Sequence, residues 1–554
     1  MSEPAPDPVD GHLSGSAKPG EGPQNPQKQG ALDPLRNPVF RMLWLASLAS
    51  SICLWMNDVA AAWLMTSLST SPGMVALVSS CSTLPMFFFG LPSGALADIL
   101  DRRRYLMSTQ FWVAGVALCS VIAVLTQSMT APLLLGLTFL NGLGLAMRLP
   151  LFAALVPELV PRAQLPAALG LNGVAMNSSR IIGPTLAGAL IANVGIVWVF
   201  ALNAVLSVLI GLAVLRWKHE PKTSALPGER FLGAIRVGVQ YVRQSARMHT
   251  VLWRVAVFFI QSSGLMALLP LVAQQLHGGG AGSFTVLLAC MGIGAIISAL
   301  LMPRVRERAT PDTVLKLGTL LQATMSIVVA WAPNVFVAAP AMVLAGMAWL
   351  SVANSLSVSA QLALPNWVRA RAMSIFQMAL MGSAALGAAL WGQVATYSSV
   401  RISLMLAAAF GAVMLVVMRR KTLDNIAVED LTPAHVWTPP VAAGPLDPEA
   451  GPVLVTVEYR VEAARVHAFR AVMQRSKRSR LQHGALAWEL FRDSTDPTRY
   501  IEYFIDETWV EHLRRFDRVT AADVALREER LSFHVGKTPP LVSRYIADPL
   551  DRVD

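Results

Sequence analysis

Residues 94–104 read GALADILDRRR. An apolar helix meets Asp98 while its neighbours Leu96 and Ala97 are still apolar, then stops on Asp101 and three arginines. Such a stop suits a helix leaving hydrocarbon, because Lys and Arg collect at the cytoplasmic ends of membrane spans. The rest of the chain agrees. Of its 554 residues 54% are hydrophobic and 14% charged, and its mean hydropathy of +0.50 does not suit a surface solvated by water. Twelve apolar runs recur, each close to the roughly 20 residues that cross a bilayer as a helix. They cover 41–68, 74–97, 105–127, 131–153, 167–192, 196–216, 251–274, 284–303, 314–332, 335–360, 372–396 and 400–418. Peptide groups in lipid must be satisfied internally, so these runs are predicted to be helices. The fold class expected is an all-α membrane protein with twelve transmembrane helices in two six-helix halves, followed by a small α+β domain.

The connections carry charge unequally. DRRR (101–104), the loop with Arg148 and Arg162, the stretch from Arg216 to Arg254, PRVRER (303–308), WVRAR (367–371) and RRK (419–421) fall on one side. STSPG, TQSMTAP, NVG, HGGGAGS and WAPN, on the other, hold no Lys or Arg, and YSSVR holds Arg401 alone. The rule of positive loops inside then predicts a multi-pass membrane protein with both termini cytoplasmic. The net charge of +11 thus reflects topology and lipid contact, and no nucleic-acid partner is expected. The central loop reads either as a basic amphipathic helix on the anionic leaflet or as a plain connector.

The domain plan is a disordered tail at 1–35, a first half at 36–216, a basic loop at 217–250, a second half at 251–420, a Pro-rich linker at 421–452 and a charged domain at 453–554. Cys53, Cys81, Cys119 and Cys290 lie inside spans with no close pair or His partner, so no metal, disulfide framework or other cofactor is expected. The absence of a G-x-x-x-x-G-K-[ST] loop argues against ATP hydrolysis. At an offset of 204 residues Asn57 falls on Gln261, Pro161 on Pro365, Gly183 on Gly387 and Gly188 on Gly392. One offset over five spans indicates two parallel halves around a central cavity, the plan on which alternating access works.

At these residues the chain resembles the major facilitator superfamily. GALADILDRRR is similar to its motif A, with Gly94, Leu96, Asp98, Arg102 and Arg103 matching, and departs from it at Ile99 and Asp101. The resemblance implies that Asp98 faces the N-terminus of the eleventh span, a state-dependent latch favouring the outward-open form. A helix N-terminus favours a carboxylate by about 0.3–1 kcal/mol, up to about 2 when partly buried. The equivalent position in the second half is Met302, so the latch is one-sided. NSSRIIGPTLAGAL (177–190) resembles motif C of the superfamily's exporters through Gly183, Pro184 and Gly188, which the family associates with antiport. By physics alone those residues make a close-packing patch.

Two charges sit deep in spans, Asp58 and Arg180, and charges at such depth are functional or paired. The reading pairs them, as a structural brace or as a proton carrier with its partner. Asn57, Asn141, Asn177, Gln261, Asn354 and Gln377 are further polar residues in the spans that either face cargo or join helices.

Beyond the linker, VLVTVEYRV, ALAWELFRD, RYIEYFID and LVSRYIA read as strands, and EAARVHAFRAVMQRSKRSRL and WVEHLRRFDRV as helices. The β-α-β-β-α-β order is ferredoxin-like. It resembles the antibiotic-biosynthesis-monooxygenase-like fold, whose members pair through their sheets, which makes dimerisation through this domain an expectation. His483, Trp488, Trp509 and His512 are its pocket candidates. No nucleophile–base spacing is legible there, so the chain is not expected to be an enzyme, and a regulatory or dimerising module is preferred to a cofactor-free oxygenase. The whole resembles the bacterial transmembrane secretion effector branch near the enterobactin-exporter-like proteins. The resemblance implies a secondary transporter of the bacterial plasma (inner) membrane exporting a small organic molecule by proton antiport, with import as the rival direction.

Overall fold

The computed structural model describes residues 32–548 except 100, 162–163, 217–230, 366, 421–428 and, within the linker, 435, 438, 441–443 and 445. Most of the N-terminal tail, Arg162, much of the basic loop and Lys421 therefore lie outside the described residues. The first half comprises α1 (Pro38–Leu68), α2 (Pro72–Ile99), α3 (Arg102–Leu125), α4 (Ala131–Leu159), α5 (Leu165–Asn193) and α6 (Val197–Leu215). After α7 (Phe231–Gln244) the second half repeats the count: α8 (Ala246–Gln275), α9 (Ala281–Arg308), α10 (Pro311–Trp331), α11 (Val335–Leu362), α12 (Arg369–Tyr397) and α13 (Val400–Val417). Eleven of these twelve long helices are apolar enough over their described residues to cross a membrane. The twelfth is α5, where Asn177, Ser178, Ser179 and Arg180 interrupt the apolar run.

Helix starts follow capping chemistry. Side chains of Asn37, Thr130, Ser245, Thr310, Asn334 and Ser399 accept from backbone N–H groups of the first turns they precede. Asp101, the departure from motif A, does the same for α3, accepting from Arg103 N at 2.9 Å and Arg104 N at 3.2 Å.

The 204-residue repeat is physical. Gly183 of α5 lies against α1, where an added Cβ would come 2.6 Å from Trp55 Cβ and 3.4 Å from Met56 N. Its repeat mate Gly387 of α12 lies against Ile260 of α8, the residue 204 beyond Met56. Gly188 and Gly392 instead join the halves, Gly188 meeting Thr285 of α9 and Gly392 meeting Ala76 of α2.

Several expectations are corrected. Arg148 is inside α4 and buried, and Arg254 is inside α8, buried and 3.0 Å from the carboxylate of Asp312 at the start of α10; neither is a loop charge. Helix α7 forms, but it does not lie on lipid with its apolar stripe. Val237, Tyr241 and Val242 are buried, the Tyr241 hydroxyl donates to Ala363 O at 3.1 Å, and Gly238 abuts Arg371 of α12. Tyr241 and Val242 join the apolar core of α8, α11 and α12, and the C-terminal domain holds α7 from the other side through Arg236 and Gln240.

That domain contains β1 (Val453–Arg460), α14 (Val466–Gln482), β2 (Ala487–Arg492), β3 (Arg499–Asp506), α15 (Trp509–Asp517), α16 (Ala521–Leu531) and β4 (Val542–Ile546). The sheet order is β2-β3-β1-β4, antiparallel throughout, with Val455 paired to Phe504 and to Arg544. Strand alternation buries Val453, Val455, Val457 and Tyr459 under the helices. Helix α16 is an addition to the expected order, and it begins with a capping box between Thr520 and Asp523. The linker is also more than a spacer. Ala434 N donates to Val519 O, and Pro433 bridges Thr520.

Candidate functional site

Twelve crossings place both ends of the bundle on one side. At the opposite end the halves touch. Gln274 Nε2 of α8 donates to Thr66 Oγ1 of α1 at 2.7 Å, Gly73 N of α2 donates to Thr396 Oγ1 of α12 at 2.8 Å, and Trp63 stacks on Phe284 at 5.7 Å. Contact continues to mid-height between α2 and α12, where Ser80 Oγ donates to Ala385 O at 2.8 Å.

Arg180 lies between the halves. Its guanidinium is 5.5 Å from the ring of Trp55 on α1 and 4.8 Å from the ring of Trp349 on α11. Cation–π attraction of about 2 kcal/mol per desolvated ring holds it there. Asp58, one turn beyond Trp55, has Ser82 as its hydrogen-bonding neighbour, and its Oδ1 is buried with no partner. The expected Asp58–Arg180 pair is thus absent: two indoles, not a carboxylate, hold the cation. Neither Trp was legible as a site residue, because no spacing links 349 to 180.

The polar candidates separate by environment. Asn57 accepts from Asn203 of α6 at 3.5 Å, and Gln261 donates to Thr319 O of α10 at 3.2 Å; both are buried helix contacts. Asn141 lines a small polar crevice within the first half, with Gln110, Ser50 and Arg148. Asn354 and Gln377 are half-buried on α11 and α12. The side chain of Asn177 lies outside those described. So do the side chains of Gly94, Asp98 and Arg102, and with them most of motif A. Arg103 is described and donates through Nη2 to Leu215 O at the end of α6. In the motif C stretch, Pro184 lies inside α5 between Gly183 and Gly188.

The C-terminal domain holds a second candidate site, a cavity of about 400 Å³ between its sheet and its helices. His483 and His512 are on its wall, whereas Trp488 and Trp509 are buried beside it in the core. Glu502, fully buried, accepts from Trp488 Nε1 at 2.9 Å, Tyr459 Oη at 3.0 Å and Arg480 Nε at 3.2 Å. Burial would raise its carboxyl, but Arg530 and Arg480 with the Trp488 hydrogen bond outweigh that and hold it at about 2. Asp506, likewise opposed by burial, is held at about 2 by Arg515 and the hydrogen bond from His512. His512 spans a relay, with Nδ1 2.8 Å from Asp506 Oδ2 and Nε2 accepting from Arg544 Nε at 3.2 Å. Burial presses His483 below its ordinary value against the opposing pull of Asp523.

The domain meets the bundle through α7 and the α11–α12 connection. Arg236 Nη2 is 2.6 Å from Glu507 Oε2, and Gln240 Nε2 donates to Ala485 O at 2.7 Å. Trp367, just before α12, lies 5.8 Å from the ring of His483, with the Arg518 guanidinium 5.1 Å from its own ring.

A bundle of two repeated six-helix halves, closed at one end around stranded polar groups, is the architecture of the major facilitator fold. Residues 29–552 match the model of the transmembrane secretion effector family, and the chain belongs to that family. It is 23% identical over 257 residues to the staphyloferrin A transporter of Staphylococcus aureus, covering 45% of this chain and 63% of that one. It is 22% identical over 273 residues to macrolide efflux protein A of Streptococcus pyogenes, covering 48% and 65%. With the enterobactin exporter EntS of Shigella boydii the identity is 24% over 286 residues, covering 51% and 68%. The chain thus spans just under two thirds of the first two relatives. Among solved structures, a bacterial homologue of the lysosomal transporter Spinster in an inward-facing, unoccupied conformation superposes with a TM-score of 0.55 at 14% identity, covering 71% of this chain and 97% of that one. The nucleoside transporter NupG gives 0.55 at 14% identity, covering 70% and 100%. Both likenesses concern the fold.

Proposed function

We propose that this protein exports a small organic molecule from the bacterial cytoplasm across the inner membrane by alternating access, in exchange for protons. The observation that carries the coupling is Asp58, a buried carboxyl with no cation beside it. A carrier must release its proton within the working pH range, and a permanent guanidinium partner would oppose reprotonation. The arginine-rich connections favour a cytoplasmic location for the end with both termini. On that orientation the present conformation is sealed toward the outside, the state in which an exporter loads. Two of the three relatives carry names that say exporter or efflux, which favours export over import.

Arg180 meets cargo directly, since a cation between two indoles offers both charge and flat apolar surface to an anionic or aromatic molecule. Asn354 and Gln377 are further cargo contacts; Asn57, Asn141 and Gln261 hold helices together. Asp98 is the latch of the outward-open state. Phe491 and Tyr503 stack at 5.5 Å on the outer sheet face, near exposed Tyr545, and that face supports pairing of two C-terminal domains.

Everted membrane vesicles test the reading. Proton-driven accumulation of an organic cargo is expected. Uptake in the opposite orientation alone would establish an importer, and oxygen consumption by the full chain with an aromatic substrate would favour the oxygenase reading.

A further inference from the structure

The cavity in the C-terminal domain lies away from the transport path, and its volume falls within the range of small-molecule sites. Its walls are apolar where Val455, Val457, Phe504 and Phe516 line it, and charged elsewhere with an excess of cations. Arg480 and Arg530 share the single carboxylate of Glu502, while Arg515 uses Asp506 and Asp523 faces His483. Arg544 has no carboxylate partner among the described residues. Register places it opposite Val455, on the sheet face under the helices, and its Nε is spent on the accepting nitrogen of His512. Arg530 Nε is buried and unpartnered. The same His512 contact argues against catalysis, because the ring nitrogen that would take a proton already accepts from Arg544.

We propose that this cavity binds a small organic anion with a flat apolar body, and that its occupancy biases the transporter through His483 and Trp367. The ligand's anionic group meets Arg544 and Arg530, and its body lies along Phe504 and Val455. Trp437 of the linker, with Arg527 5.1 Å from its ring, also lines the cavity. His483 belongs both to the cavity wall and to the contact with Trp367, two residues before α12. A ligand that moves His483 therefore acts on a helix that packs along α2 of the other half. Trp367 also meets Tyr241 edge to face at 5.8 Å, so α7 backs the indole against that movement.

The site goes beyond the transport reading and stands whether or not export and proton coupling hold. The test uses the full chain in lipid nanodiscs with 2-naphthoate as probe and 2-naphthamide as its neutral counterpart. A saturable naphthoate site that persists in the Arg180→Gln variant is expected, weakened about tenfold or more by Arg544→Gln, since a hydrogen bond to a charged group is worth about 1.5–3 kcal/mol. Arg180→Gln should leave it unchanged, which separates it from the transport path. For coupling, Thr66→Cys and Gln274→Cys are introduced into a chain whose four native cysteines are alanine, and their cross-linking rate reports closure of the far end. Naphthoate should change that rate several-fold, and Trp367→Ala should abolish the change while binding persists. Equal binding of the amide, indifference to Arg544→Gln, no change in cross-linking, or a change that survives Trp367→Ala would each overturn the proposal.

Discussion

Glu502→Gln should loosen the C-terminal domain by a predictable amount. The carboxylate is fully buried and accepts from Trp488, Tyr459, Arg480, Ser476 and Arg530 at 2.9, 3.0, 3.2, 3.3 and 3.4 Å. Glutamine keeps the volume but removes the charge that two buried arginines share. Breaking a buried pair by removing one partner costs about 3–5 kcal/mol. A second route gives a similar figure: holding the carboxyl at about 2, against an ordinary 4.5, corresponds to on the order of 3 kcal/mol. Amide hydrogen exchange of β1 and β3 in the full chain reads this directly, with exchange expected to accelerate roughly a hundredfold or more. The sign with pH follows from a depressed folded-state value. The stabilisation is present above about 4.5 and is lost as pH falls through about 2, so wild-type protection should decline in that window and the variant's should change less. Exchange within about threefold of wild type at neutral pH would refute the assignment of Glu502 as the charge that balances Arg480 and Arg530.

Asp58→Asn is expected to abolish proton-driven efflux in everted vesicles while folded protein is recovered in near-normal amount; retention of a pH-gradient-dependent rate would end its role as carrier. Because Arg180 is held by indoles, the Asp58→Asn, Arg180→Gln double variant should not recover transport, and recovery would restore the brace. Gly188→Leu should prevent the far end from closing, since even a Cβ there overlaps Thr285, and cross-linking in the Thr66→Cys, Gln274→Cys background would drop. Unchanged cross-linking would mean that α9 yields. Asp98→Asn should lower transport more than it lowers yield, and full activity with unaltered cysteine accessibility would remove the latch.

Sequence by itself determined the membrane architecture, because the bilayer imposes one length and one hydrogen-bonding rule on every span, and both are written locally. The stop at Asp98 to Arg104, the recurring apolar runs and the 204-residue offset needed no tertiary information. The offset also made Gly183 and Gly387 equivalent, though not which helices they meet. Contacts between distant spans were not legible. Asp58 and Arg180 are both deep charges, and Coulomb's law alone would pair them; only packing reveals that Trp55 and Trp349 reach the guanidinium first. Helix α7 has the amphipathic pattern of a membrane-surface helix, and pattern cannot tell lipid from protein as the apolar partner. What covers its apolar residues Tyr241 and Val242 is the core of α8, α11 and α12, while a domain more than two hundred residues downstream clasps Arg236 and Gln240 on its other side. The cavity of that domain is likewise a tertiary product, since Arg480, Arg515, Arg530 and Arg544 come from four separate elements and share one wall only in the folded domain.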